Sequence, residues 1–78
     1  MNLTIAQTPR PLLGEIVEVP EGIAAPSVYV SQYRKEMETR VGRIIEVLPT
    51  LVTVQFFGYP HPWDYSMREA NTFTLARP

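Results

Sequence analysis

The sequence predicts a small, mostly β domain of antiparallel strands, and two observations carry the prediction. The first is a pair of apolar, β-branched runs, residues 40–48 and 51–57, separated only by Pro49-Thr50. Two such runs around so short a turn read as a hairpin. The second is punctuation: eight prolines and four glycines cut a chain of 78 residues into short pieces. Only one of these pieces carries a helical spacing.

Taken in order, residues 1–11 read as an extended arm. Leu3 and Ile5 alternate, so a short added strand fits residues 3–6, and Pro9 and Pro11 hold their predecessors extended. Residues 12–19, rich in Ile and Val and stopped by Pro20, are a strand. Pro20-Glu21-Gly22 turns the chain, Ala24-Ala25-Pro26 prolongs the loop, and residues 27–30 are a short β-prone piece. Residues 31–39 carry the helical spacing: Ser31 as cap, Tyr33 and Met37 four apart, Arg34 and Glu38 likewise. So short a helix depends on Tyr33 and Met37 packing against something. In the hairpin, Val52, Val54 and Phe56 alternate with Thr53, Gln55 and Phe57, one face buried and one wet. Phe57 sets an aromatic ring on the wetter side. Residues 58–62 are a proline-stiffened loop, 63–66 a short strand, 67–71 one helical turn and 72–76 a last strand.

Length allows a single core, since domains usually run to roughly 100–200 residues. A chain of this size buries only about 60% of its unfolded surface, so a partner would add stability. No cysteine is present, which excludes disulfides, thiolate zinc sites and cysteine nucleophiles and suits a reducing compartment. Seven Lys+Arg against eight Asp+Glu, a net charge of −1, argue against general affinity for nucleic acid. Residues 1–13 lack a basic, then apolar signal-peptide pattern, and no run approaches the ~20 apolar residues of a membrane span. A cytoplasmic location without a membrane partner is the expectation.

Several residues carry a resemblance to a known fold family: Val41-Gly42-Arg43-Ile44-Ile45-Glu46-Val47, residues 51–57, Trp63-Asp64-Tyr65, and the ending Leu75-Ala76-Arg77-Pro78. With the order strand, long loop, tight hairpin, short strand, helical turn and final strand, the chain resembles the SH3-like small barrel in its prokaryotic KOW or Tudor-like form. The resemblance covers about four-fifths of the sequence. It implies a single barrel over residues 12–78, of about five antiparallel strands, whose long first loop has room for a short helix. The chain has neither an Ala-Leu-Tyr-Asp-Tyr stretch nor adjacent tryptophans, so the proline-rich peptide recognition of the signalling domains is not implied. The loop over residues 20–39 is longer than a minimal KOW unit carries, and is expected to hold what is particular to this protein.

Three constellations are candidates for function. Phe57, Tyr59, Trp63 and Tyr65 surround the loop stiffened by Pro60 and Pro62; rigid rings give contact area at little entropic cost, which suits partner binding, and Tyr33 joins them from the long loop. The plain alternative is that Trp63 and Tyr65 close the barrel. We expect the two not to point inward together, and at least one of the four rings to be exposed. Arg34, Lys35, Arg40 and Arg43 lie within ten residues and suit phosphates or an acidic partner, although the interleaved Glu36 and Glu38 make a solvated face the readier reading. Glu15, Glu18, Glu21 and Glu46 are placed to form an opposite, acidic patch. His61 stands alone between two prolines, too few ligands for a metal and no nucleophile for a dyad.

The function expected is therefore a non-enzymatic protein–protein interaction module, without cofactor, metal or catalytic residues: a small subunit or regulator docking on a larger protein or complex through the aromatic loop and the long first loop. The alternative is a KOW/Tudor-like regulator of transcription or translation that contacts nucleic acid, RNA polymerase or the ribosome. An exposed strand edge leaves room for a homodimer.

Overall fold

In a computed structural model of the chain, residues 11–76 are described. The expected arm over residues 1–11, with its added strand at 3–6, lies outside the described residues save for Pro11, which is buried, as do Arg77 and Pro78 of the carboxy-terminal motif. The elements are β1 (Ile16–Glu18), β2 (Ser27–Val30), β3 (Lys35–Glu38), β4 (Val41–Val47), β5 (Leu51–Phe56), β6 (Trp63–Ser66), α1 (Met67–Ala70) and β7 (Thr74–Leu75). The fold is mostly β, with antiparallel pairing throughout.

One sheet has the order β6-β5-β4-β1-β7; the second is the hairpin β2-β3. The hairpin β4-β5 is the centre of the first, and its period-2 pattern explains the core. Val52, Val54 and Phe56 all point to one side, where Ile44, Val17 and Val19 meet them and Tyr65 and Ala70 complete the cluster. The register shifts between Ile44 and Glu46, so the bulged Ile45 is turned outward and 44% exposed.

Gly42 has a steric reason to be glycine. It sits opposite Phe56, and a Cβ there would meet the Gln55 carbonyl oxygen at 2.7 Å and the Phe56 Cα at 2.9 Å. Those are backbone atoms, so no side-chain rotation relieves the clash.

Three expectations are corrected. The first strand is shorter than residues 12–19: Leu13-Gly14 turn, with Gly14 at φ 88° and the Glu15 N–H donating to the Leu12 carbonyl. Residues 31–39 form no helix. They are the turn and second strand of the hairpin β2-β3, with Val28 opposite Met37 and Val30 opposite Lys35. The N–H groups of Tyr33 and Arg34 close the turn on Val30 and Ser31, and Arg34 takes a left-handed φ of 56° that no helix accommodates. Cross-strand pairing with the β-branched Val28 and Val30 thus overrides the four-residue spacings. Finally, the sheet does not close on itself. After β6 the capping box of Ser66 and Glu69 starts α1 at once, β7 is only two residues long, and β6 and β7 remain the two edges of the sheet.

Replacing Gly42 with alanine should lower the free energy of unfolding by about 1–3 kcal/mol through overpacking, measured by urea denaturation; an unchanged midpoint would show that β4 and β5 are not in this close register.

Candidate functional site

The aromatic residues form a connected chain from core to surface. Tyr65 packs edge-on against Phe73 at 5.0 Å and Phe56 at 6.3 Å; Trp63 meets Phe56 at 6.3 Å and Tyr59 at 6.4 Å; Tyr59 meets His61 at 6.0 Å. Trp63 and Tyr65 stand opposite Val54 and Val52, so both face the core, contrary to the expectation that they would not. Strand parity requires it, because residues two apart share a face. Tyr65 is buried and Trp63 half-buried, while the ring left at the surface is Phe57, 49% exposed.

Tyr65 has a structural task. Its hydroxyl donates to the Ala24 carbonyl at 2.7 Å, pinning the β1–β2 loop over the core, where Ile23 and Ala25 also pack. Burial pushes its pKa up to about 12, with the Arg40 charge pulling the other way and Glu69 adding to the rise.

The loop of residues 57–62 is held from both sides. The Gln55 side-chain amide donates to the Tyr59 carbonyl at 2.7 Å, and the Thr39 hydroxyl to the Phe57 carbonyl at 2.9 Å. Thr39 directly follows β3, so the base of the hairpin and the Phe57 loop are one connected surface.

The basic residues separate. Arg40 is a clamp: Nη1 donates to the carbonyls of Val19, Pro20 and Ile23, while Nε and Nη2 grip the Glu38 carboxylate. The hydrogen bond to Glu38 leads in raising its pKa still further. Arg43 donates to the Gly14 carbonyl on the outer face of the sheet, and Arg34 and Lys35 are exposed at the hairpin turn. The four cations therefore make no common patch. Of the acidic set, Glu18 and Glu46 lie on that same outer face, and Oε1 of Glu15 is buried without a hydrogen-bond partner.

The hairpin β2-β3 comes close to no other strand and not to α1. Tyr29 is 64% exposed, Tyr33 59% and Met37 42%. Of these, Tyr33 was anticipated; Tyr29 and Met37 were not, although the alternation Ser27-Val28-Tyr29-Val30 already separates Tyr29 from the two valines. Among the described residues no group of three or more His, Cys, Asp or Glu is placed to hold a metal ion, and no helix is long and apolar enough to cross a membrane.

No family model, curated protein or solved structure matches the chain.

Removing the Tyr65 hydroxyl (Tyr65→Phe) should cost about 1–2 kcal/mol at neutral pH, since the Ala24 carbonyl loses its donor. The pKa raised in the fold favours the protonated phenol, so this contribution is complete below about pH 10 and is lost as pH rises from 10 towards 12. Unfolding midpoints of the two proteins, followed against pH, should therefore converge above pH 10; a gap independent of pH would show that Tyr65 is not the group responsible.

Proposed function

We propose that the chain is a non-enzymatic, cytoplasmic protein–protein interaction module, a small subunit or regulator that docks on a larger protein. One observation carries the reading: a hairpin that covers none of its own core holds Tyr29, Tyr33 and Met37 in solvent and joins at its base the exposed Phe57. Large apolar side chains on a projecting element are surface that a partner can bury. Tyr59 and Trp63, half-buried beside Phe57, extend this surface with rings already fixed by their neighbours, so docking on them freezes little new freedom. Tyr65 supports it from beneath.

The finer fold reading, an SH3-like small barrel, is supported by the element order. The first and last strands of the sheet are neighbours, a long loop separates its first two strands, and a helical turn precedes the last. One fold of this kind hosts many functions, so the function is argued from the surface.

A nucleic-acid reading draws on Arg34 and Lys35, exposed together at the hairpin turn. Two cations beside Glu36 and Glu38 make few phosphate contacts, and Arg40 is engaged within the fold. We therefore place it second.

In a pull-down from host lysate, the double variant Tyr33→Ser/Phe57→Ser should lose at least tenfold of any stoichiometric partner. Its unfolding midpoint should stay close to the parent's, because exposed substitutions shift stability by only about 0.5 kcal/mol. Retention of the partner by a folded double variant would overturn the docking reading. Partner loss on nuclease treatment, with binding that weakens steeply with salt and on Arg34→Glu/Lys35→Glu, would favour nucleic acid instead.

A further inference from the structure

We propose that the chain forms a two-fold homodimer in which the edge of β2 that no other described strand pairs joins antiparallel with β2 of a second copy, uniting two hairpins into one four-stranded sheet. The inference is independent of the docking reading, because it concerns the protein alone.

A two-stranded hairpin is marginal in water unless further strands or a helix cover it, and among the described residues neither another strand nor α1 lies against β2-β3. The strand edges differ in how they are protected against pairing. β3 is Lys-Glu-Met-Glu, β6 carries Asp64, and β7 has two residues. Charged residues and shortness are the usual ways of blunting an edge. β2, Ser-Val-Tyr-Val, is four residues long and uncharged.

Charge decides which edge can meet its own copy. Antiparallel pairing must keep residues of one face together, and any such register of β3 with itself sets like charges opposite: Glu36 on Glu36, Glu36 on Glu38, Lys35 on Lys35, or Glu38 on Glu38. Like charges directly opposite are destabilising. β2 meets itself with no charge at all.

The backbone is in phase for this pairing. The Thr39 N–H donates to the Pro26 carbonyl at 2.9 Å, and antiparallel ladders alternate bonded and non-bonded pairs. Val28/Met37 and Val30/Lys35 are therefore the bonded pairs within the hairpin, and Ser27 and Tyr29 turn their N–H and C=O groups outward. With the two-fold axis at Val28, Ser27 of each copy pairs with the partner's Tyr29, so all of these outward groups are satisfied without calling on the turn. Val28 then lies opposite the partner's Val28, and the valines and Met37 of both copies form one apolar strip. The shared edge is short of the ~1,600 Å² of a standard interface, so the dimer should dissociate in the micromolar range. It would present two Phe57 surfaces.

Sedimentation equilibrium from about 1 μM to 1 mM brackets such an affinity and should show monomer passing to dimer. Tyr29→Pro should raise the dissociation constant at least tenfold, since the N–H it removes points away from β3 and takes no part in the β2-β3 ladder. Because the chain has no cysteine, Val28→Cys should give a disulfide-linked dimer under mild oxidation, and Tyr33→Cys, at the more exposed turn position, should give far less. That contrast decides the matter on an unaltered backbone should the proline disturb the hairpin. A protein monomeric over the whole range overturns the proposal. So does a dimer that crosslinks no better through Val28→Cys than through Tyr33→Cys.

Discussion

The arrangement of this protein depends on where one guanidinium goes. Arg40 stands at the junction between the hairpin β2-β3 and strand β4, and it gathers the carbonyls of Val19, Pro20 and Ile23 while its other nitrogens hold Glu38. Those carbonyls belong to the irregular chain leaving β1; the Pro20 oxygen also accepts the Ile23 N–H, but those of Val19 and Ile23 would otherwise be unpaired at a partly buried site, which would oppose that path. A planar donor with five N–H groups meets several acceptors at once. The side chain is only 16% exposed, and through it the loop, the hairpin base and the central sheet share one fixed point.

From that point two parts with different physical tasks diverge. The sheet β6-β5-β4-β1-β7, with Val19 just beyond β1 and Ala70 of α1, supplies the buried apolar cluster, and the loop through Ile23 and Ala25, tied by the Tyr65 hydroxyl, packs against it. The hairpin contributes nothing to that core. It is held at its root by Arg40 and by Thr39, whose N–H bonds to Pro26 and whose hydroxyl bonds to Phe57, and beyond the root Tyr29, Tyr33 and Met37 meet solvent while Val28 and Val30 stay half-buried. The side chains of the hairpin are thereby independent of the buried cluster, as the proposed docking role requires.

The legible parts of the fold were those with strict alternation or strong punctuation. The hairpin β4-β5 could be read because its apolar residues repeat every second position and Pro49-Thr50 marks the turn; the strand over residues 63–66 and the helical turn after it were legible for similar local reasons, whereas the capping box of Ser66 and Glu69 was not read. The β2-β3 hairpin was not. Lys35-Glu36-Met37-Glu38 has one apolar residue and therefore no alternation, while Tyr33/Met37 and Arg34/Glu38 imitate a helical face. What decides it is pairing with Val28 and Val30 and a left-handed Arg34, neither visible in local spacing. Of the candidate site residues, Phe57 could be recognised as the ring on the wet side of an alternating strand. The inward turn of both Trp63 and Tyr65 follows from the same parity rule, but also needs their register against Val54 and Val52. Arg40 and Arg43 looked alike as cations, and only the carbonyls brought near them by the fold distinguish a clamp from a free charge.

The separation of the core from the hairpin β2-β3 is tested most directly by native-state hydrogen exchange, read residue by residue at a concentration where the chain is monomeric. The expected result is two classes of amide. Those of β4 and β5 should exchange only through global unfolding, and those of Val28, Val30, Lys35 and Met37 through a local opening at least tenfold more frequent. Equal protection in both sets would contradict the separation, for it would mean that the hairpin is a cooperative part of the core.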